Sequence, residues 1–224
     1  SRAVRRRWPD GGTRVVDAAP VDAILNEARR LRADVIVMGW RGHGPVRRLL
    51  TGSISRGVVR AAPCAVLVVR RPIRELRHVV IGIDGSDNAA RALTFMAALE
   101  PPPDARATIF RAVDIIHAPT QGLAPAATRA TVTAEVARIN DARRAAARKD
   151  LSRAAKTLSS AGWKVDQVGT DGAPLRDLLA TVSSVGADLL VVGAKGVSGP
   201  RQLLLGSVAE GALNRSPVPV LVVR

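Results

Sequence analysis

Residues 1–70 lie on residues 155–224 at a constant shift of 154, without a gap, and roughly 21 positions coincide. They include Asp17 and Asp171, Pro20 and Pro174, Asp34 and Asp188, Pro63 and Pro217, and an identical closing Val-Leu-Val-Val-Arg. Both copies carry one fifteen-residue pattern: Gly39-x-x-Gly42, nine residues, Gly52-Ser53 in the first, and Gly193-x-x-Gly196, nine residues, Gly206-Ser207 in the second. Two copies in register force one supersecondary plan on both segments. The chain is a tandem repeat whose first copy lacks its front half. Residues 1–70 form the C-terminal half of a first domain, 71–76 a linker, and 77–224 a complete second domain.

The complete copy alternates strand and helix. An apolar run beginning at His78 ends at Asp84-Gly85-Ser86, and Ser86 suits the N-cap of a helix over residues 89–99. Pro101-Pro102-Pro103 stops that helix, and residues 107–113 supply a second strand. Residues 117–133, rich in Pro, Ala and Thr, read as a loop before a long helix over 134–161, which Gly162 terminates. Strands follow at 163–168, at 188–192 and at 218–223, with Pro174 opening one intervening helix and Ser207 the other. Five strands and four helices in alternation predict an α/β fold: a doubly wound, mainly parallel sheet of the Rossmann-like kind, with right-handed crossovers.

Ligands of such sheets bind beyond the carboxyl ends of the strands, where the winding reverses. Asp84 and Gly193 both fall on that edge. Gly193 and Gly196 are expected to let the backbone turn with positive φ and approach a ligand without Cβ interference. Ser207-x-x-Glu210 reads as a capping box at a helix start, and a helix start suits a phosphate through its unpaired N–H groups and positive dipole end. Lys195 and Arg201, matched by Arg41 and Arg47, stand where they could add phosphate contacts. Asp84 reads either as a ligand for ribose hydroxyls or a magnesium-bound phosphate, or as a turn aspartate capping the next helix.

Composition narrows the function. The net charge is +15, and residues 1–70 hold 14 Arg against five acids. With aromatic content of 2% and no Tyr, however, no stretch interleaves basic and aromatic residues as a single-strand stacking platform does, so specific nucleic-acid binding is not expected. No apolar stretch approaches the roughly 20 residues of a membrane span, and no secretory signal follows the Arg-rich start. Cys64 cannot form an intramolecular disulfide, and its apolar run suggests an inert thiol in a reducing cytoplasm. His43, His78 and His117 have no metal-ligand spacing, and no Ser/His/Asp or paired-carboxylate arrangement emerges, so strong catalysis is not indicated.

The glycine pattern after an apolar strand, a first strand ending in Ile83-Asp84-Gly85-Ser86, and the terminal Pro219-Val-Leu-Val-Val resemble the universal stress protein family, in its ATP-binding branch and tandem-domain form. The resemblance implies that Asp84 and the backbone of Val113 contact the nucleoside. It implies phosphate contacts at Gly196, Gly206, Ser207 and Val208, with Gly193 beneath the ribose. It further implies ATP and Mg2+ as ligands, and a role in stress or dormancy regulation with at most weak ATP hydrolysis. The family's last strand pairs with its equivalent in a neighbouring domain, so residues 66–69 and 220–223 are expected to form an intrachain pseudo-dimer, or a homo-oligomer contact. A nucleotide-free dimerisation or interaction module is the alternative.

The first copy departs from the family pattern. It holds Gly39, Gly42, Gly52 and Ser53 as a partial first site, without counterparts of Asp84 or Val113, and its helix start lacks the glutamate. It is expected to supply the third, fourth and fifth strands of its unit, with the third stranded and the strand at 35–38 exposed along one edge. A start at Ser1 in mid-unit suggests that the natural polypeptide extends upstream by roughly 75 residues, the size of the missing front half.

Overall fold

The computed structural model describes residues 10–40, 52–73, 75–118, 125–196 and 205–224. Its strands are β1 (Val35–Gly39), β2 (Ala65–Val69), β3 (His78–Gly82), β4 (Arg106–Val113), β5 (Lys164–Asp171), β6 (Leu189–Gly193) and β7 (Val220–Val223). Its helices are α1 (Pro20–Leu31), α2 (Ser53–Ala61), α3 (Asp87–Ala97), α4 (Ala126–Ser160), α5 (Pro174–Ser184) and α6 (Ser207–Arg215). All seven strands join one sheet in the order β1-β2-β7-β6-β3-β4-β5.

The complete copy thus has its strands in the order 3-2-1-4-5, every neighbouring pair parallel. Such strands are covered on both faces, which explains their continuous apolar runs rather than alternation. On one face α1, α2, α5 and α6 bury Leu25, Val58, Leu178 and Leu213 against Val66, Leu190 and Val222. On the other, α3 and α4 bury Met96, Leu151 and Leu158 against Val79, Ile81 and Ile109. β5, at the edge, is only partly covered, at Val165, Val168 and Thr170. The doubly wound α/β class is therefore as expected.

The two copies meet through their last strands. β2 and β7 pair antiparallel, Leu67 opposite Leu221, with Val66 opposite Val222 and Val68 opposite Val220. The repeat shift maps Leu67 onto Leu221 and exchanges the flanking pairs, so a pseudo-twofold passes between the two leucines. Two arginines obey the same symmetry. Arg224 donates through Nη2 to the Val59 carbonyl at 2.8 Å and also to the Arg60 carbonyl, at the end of α2. Arg70 donates to the Leu213 carbonyl, at the end of α6. Each copy's closing arginine satisfies orphan carbonyls at the negative end of the other copy's last helix.

Two expectations need correction. Residues 11–17, the counterpart of most of β5, form no strand, and Val15 is fully exposed. In the complete copy β5 pairs only with β4, and no strand of the first copy lies there to take that place. The long helix starts at Ala126 rather than near 134, because Pro125 sets its N-cap and the Ala-rich sequence sustains helix without an apolar stripe.

Candidate functional site

The candidate site forms at the carboxyl ends of β3 and β6, which lie side by side with Gly82 opposite Val192. The winding direction reverses between these strands, and ligands of such sheets bind at that switch point. Asp84 follows β3, and the loop that begins at Gly193 follows β6.

Asp84 heads a tight turn. Its Oδ1 accepts from the Ser86 N–H at 3.0 Å, and Gly85 supplies the left-handed φ of 84°. Ser86 then caps α3, its Oγ accepting from the Ala89 N–H at 3.2 Å, as its sequence position predicts. The same hydroxyl donates to the Lys195 carbonyl at 3.1 Å, joined there by Asn88 Nδ2 at 3.3 Å. The start of α3 is thereby fastened to the glycine loop.

The glycines owe their identity to close approach, not to backbone handedness. Gly193 and Gly196 do not have positive φ, and Gly206 has φ −77°. A Cβ on Gly193 would lie 2.8 Å from the Asn88 carbonyl carbon and 2.9 Å from the Ala89 nitrogen. Gly193 therefore has a packing reason of its own. A Cβ on Gly196 would run into the Asp84 carboxylate, Oδ2. At the loop's far end, Gly206 donates its N–H to the Ala194 carbonyl at 2.7 Å, and a Cβ there would come within 3.3 Å of the Gly196 nitrogen. Asp84, Gly196 and Gly206 thus converge.

α6 begins at Gly206 with Ser207 and Val208 in its first turn and no side-chain cap. The expected capping box does not form, because Gly206 and not Ser207 is the N-cap, which puts Glu210 one position beyond the capping-box glutamate; Glu210 accepts from Arg60 at 2.8 Å. Val113 closes β4, and its carbonyl accepts from the Gly172 N–H at 3.2 Å. Gly42, Arg41, Arg47 and Arg201 lie outside the described residues. Among the described residues, no group of three His, Cys, Asp or Glu is placed to hold a metal ion.

Two supporting groups went unread in the sequence. Arg111 of β4 pairs with Asp150 of α4, both largely buried, directly beneath Gly85: a Cβ there would lie 3.1 Å from Arg111 Nη1 and 3.3 Å from Asp150 Oδ2. Asn140 of α4, also buried, accepts from the Ile116 N–H at 2.9 Å and donates to its carbonyl at 2.8 Å, pinning the segment that leaves β4. An arginine in an apolar strand and an asparagine in a helix are the signals that could have marked them.

The first copy builds its loop differently. Gly39 ends β1, and its carbonyl accepts from Ser55 Oγ at 3.0 Å. Gly52, N-cap of the helix starting at Ser53, has φ 79°, and a Cβ there would lie 2.8 Å from the Trp40 ring. Trp40 replaces Ala194 and is covered by the Arg70 guanidinium at 4.2 Å. At their described ends the two loops differ: Gly52 has φ 79° where Gly206 has φ −77°.

The profile of the universal stress protein family matches residues 1–70 and 75–224. The chain belongs to the universal stress protein family. Among its universal stress relatives, one from Mycobacterium tuberculosis (strain H37Rv) is 31% identical over 224 aligned residues, covering 94% of this chain and 68% of the relative. Another, from Bacillus subtilis (strain 168), is 27% identical over 150 residues, 65% of this chain and 97% of the relative. A universal stress protein structure from Archaeoglobus fulgidus superposes over all of this chain and 74% of its own, with a TM-score of 0.65 and 21% identity, a likeness of fold. No helix among the described residues is long and apolar enough to cross a membrane.

Proposed function

We propose that residues 77–224 bind ATP with Mg2+, and that binding serves a stress or dormancy regulator of the cytoplasm rather than an enzyme with rapid turnover. The observation that carries this is the convergence of Asp84, Gly196 and Gly206 at the switch point, with the first turn of α6 left without a side-chain cap. The missing Cβ atoms fit the group: at Gly196 a methyl would take the space facing Asp84, and at Gly206 it would crowd the loop backbone.

In this reading Asp84 and the backbone of Val113 hold the nucleoside, Gly193 lies beneath the ribose, and Gly196, Gly206, Ser207 and Val208 receive the phosphates. Their backbone N–H groups, reinforced by the helix dipole, supply the attraction. Asp84 can do this while one of its oxygens stays in the turn to Ser86. Mg2+ comes with the phosphates, as it does where a protein offers one carboxylate and not a closed oxygen cage. The partial first site, Gly39, Gly42, Gly52 and Ser53, has no matching carboxylate and is not assigned a nucleotide.

Thermal unfolding of the 224-residue chain with and without Mg-ATP tests the proposal. Ligand at a hundredfold over its dissociation constant should stabilise the protein by roughly 2.7 kcal/mol. Turnover should stay far below the roughly 10 per second typical of enzymes, since no base or Walker-type lysine is identified at the loop. No shift with ATP, and no nucleotide extracted from freshly purified protein, would leave the nucleotide-free interaction module as the surviving reading.

A further inference from the structure

Ser207-x-x-Glu210 has the spacing of a capping box, but α6 is capped one residue earlier, at Gly206, and Glu210 turns to a different partner. Glu210 Oε1 accepts from Arg60 Nη2 at 2.8 Å, and Arg60 stands in the last turn of α2, in the other copy. The ion pair thus joins the first turn of α6 to the last turn of α2. The charge of Glu210 is met by a cation, although it sits in the first turn of α6.

The pseudo-twofold does not repeat this contact. It relates Leu67 to Leu221, and the Arg70 contact with Leu213 to the Arg224 contact with Val59. At the ion pair the shift of 154 instead sets Arg56 against Glu210, and Asn214 against Arg60. Only the second copy carries a carboxylate at that helix start, and the first copy supplies the guanidinium that meets it. As a source of stability the pair is weak, with side chains 45% and 36% exposed. Its position matters more than its strength.

We infer that Arg60 is a positioning residue for the second copy's phosphate subsite, lent across the β2–β7 interface: it pairs with Glu210 in the first turn of α6 and neutralises its charge beside that subsite. This rests on the nucleotide reading of residues 77–224. Without Arg60, Glu210 is an unmatched negative charge beside a polyphosphate. The nucleoside end, at Asp84 and Val113, is untouched.

The test is titration of the full chain with Mg-ATP, with inorganic triphosphate and with adenosine, at low and at high salt. Arg60→Ala should weaken Mg-ATP and triphosphate by about three- to tenfold at low ionic strength, less at high salt, because the repulsion is Coulombic and screened. Adenosine affinity should not change. Adding Glu210→Gln to Arg60→Ala should restore Mg-ATP binding, which a merely structural loss would not allow. Equal Mg-ATP affinity in wild type and Arg60→Ala, a matching loss for adenosine, or no recovery in the double variant overturns this inference alone. Wild-type protein that binds neither Mg-ATP nor adenosine overturns the nucleotide reading and this inference together.

Discussion

Gly193 and Gly196 stand three residues apart in one motif, yet the structure gives them different work. At Gly193 an added methyl meets fixed backbone, 2.8 Å from the Asn88 carbonyl carbon, so α3 must move away from β6. Gly193→Ala should therefore cost about 1–3 kcal/mol of stability, as overpacking does. At Gly196 the methyl meets, among the described residues, only the end of the Asp84 side chain, which can rotate aside. Gly196→Ala should leave the denaturation midpoint nearly unchanged and weaken Mg-ATP at least tenfold, because the displaced carboxylate is a proposed nucleoside contact. Urea unfolding and calorimetric titration of both variants check the pair, and a Gly196→Ala protein with wild-type affinity would detach Asp84 from the site. The spacing made both glycines visible in the sequence. It could not say which meets backbone and which meets a side chain, and the positive φ it suggested belongs to Gly85.

At the scale of elements, what the sequence showed depended on periodicity. The strands of the complete copy were legible because covered parallel strands are short apolar runs, and α3 because Ser86 is a cap with an evident helix after it. The front of α4 was not legible. Its residues from 126 to 135 are exposed, and its buried side chains begin at Asn140, so no apolar stripe announces the start. Asn140 itself shows why the element matters to the site. Its two hydrogen bonds to Ile116 fix the chain three residues beyond Val113. Asn140→Leu should cost about 1–3 kcal/mol, since the Ile116 N–H and carbonyl lose their partner together. The Ile116 amide should exchange faster with solvent in that variant, and an unchanged exchange rate would show that the segment is held by other contacts.

For the whole molecule, the repeat placed two copies in the chain but could not say how they share one sheet. The answer lies in β2 and β7, whose antiparallel pairing merges a two-strand fragment with a five-strand unit. The fragment gains burial only on that side. Among the described residues β1 pairs with β2 alone, and Val37 is 64% exposed, whereas its counterpart in β6, Val191, is fully buried between β3 and β7. Sequence runs as similar as Val35-Ile36-Val37-Met38 and Leu189-Leu190-Val191-Val192 thus end in opposite environments, because burial is set by neighbours and not by the strand's own residues. Local opening follows the same contrast, since an edge strand detaches without disturbing the core while a central one requires global unfolding. Amides 35–38 should exchange at least tenfold faster than amides 189–192 in the 224-residue chain, measured at a concentration where sedimentation shows a monomer. If instead both sets are equally protected in the monomer, another part of the chain must cover the free edge of β1. If protection of 35–38 rises with protein concentration while 189–192 stay constant, the edge is being paired between molecules, as an uncovered row of backbone N–H and C=O groups invites.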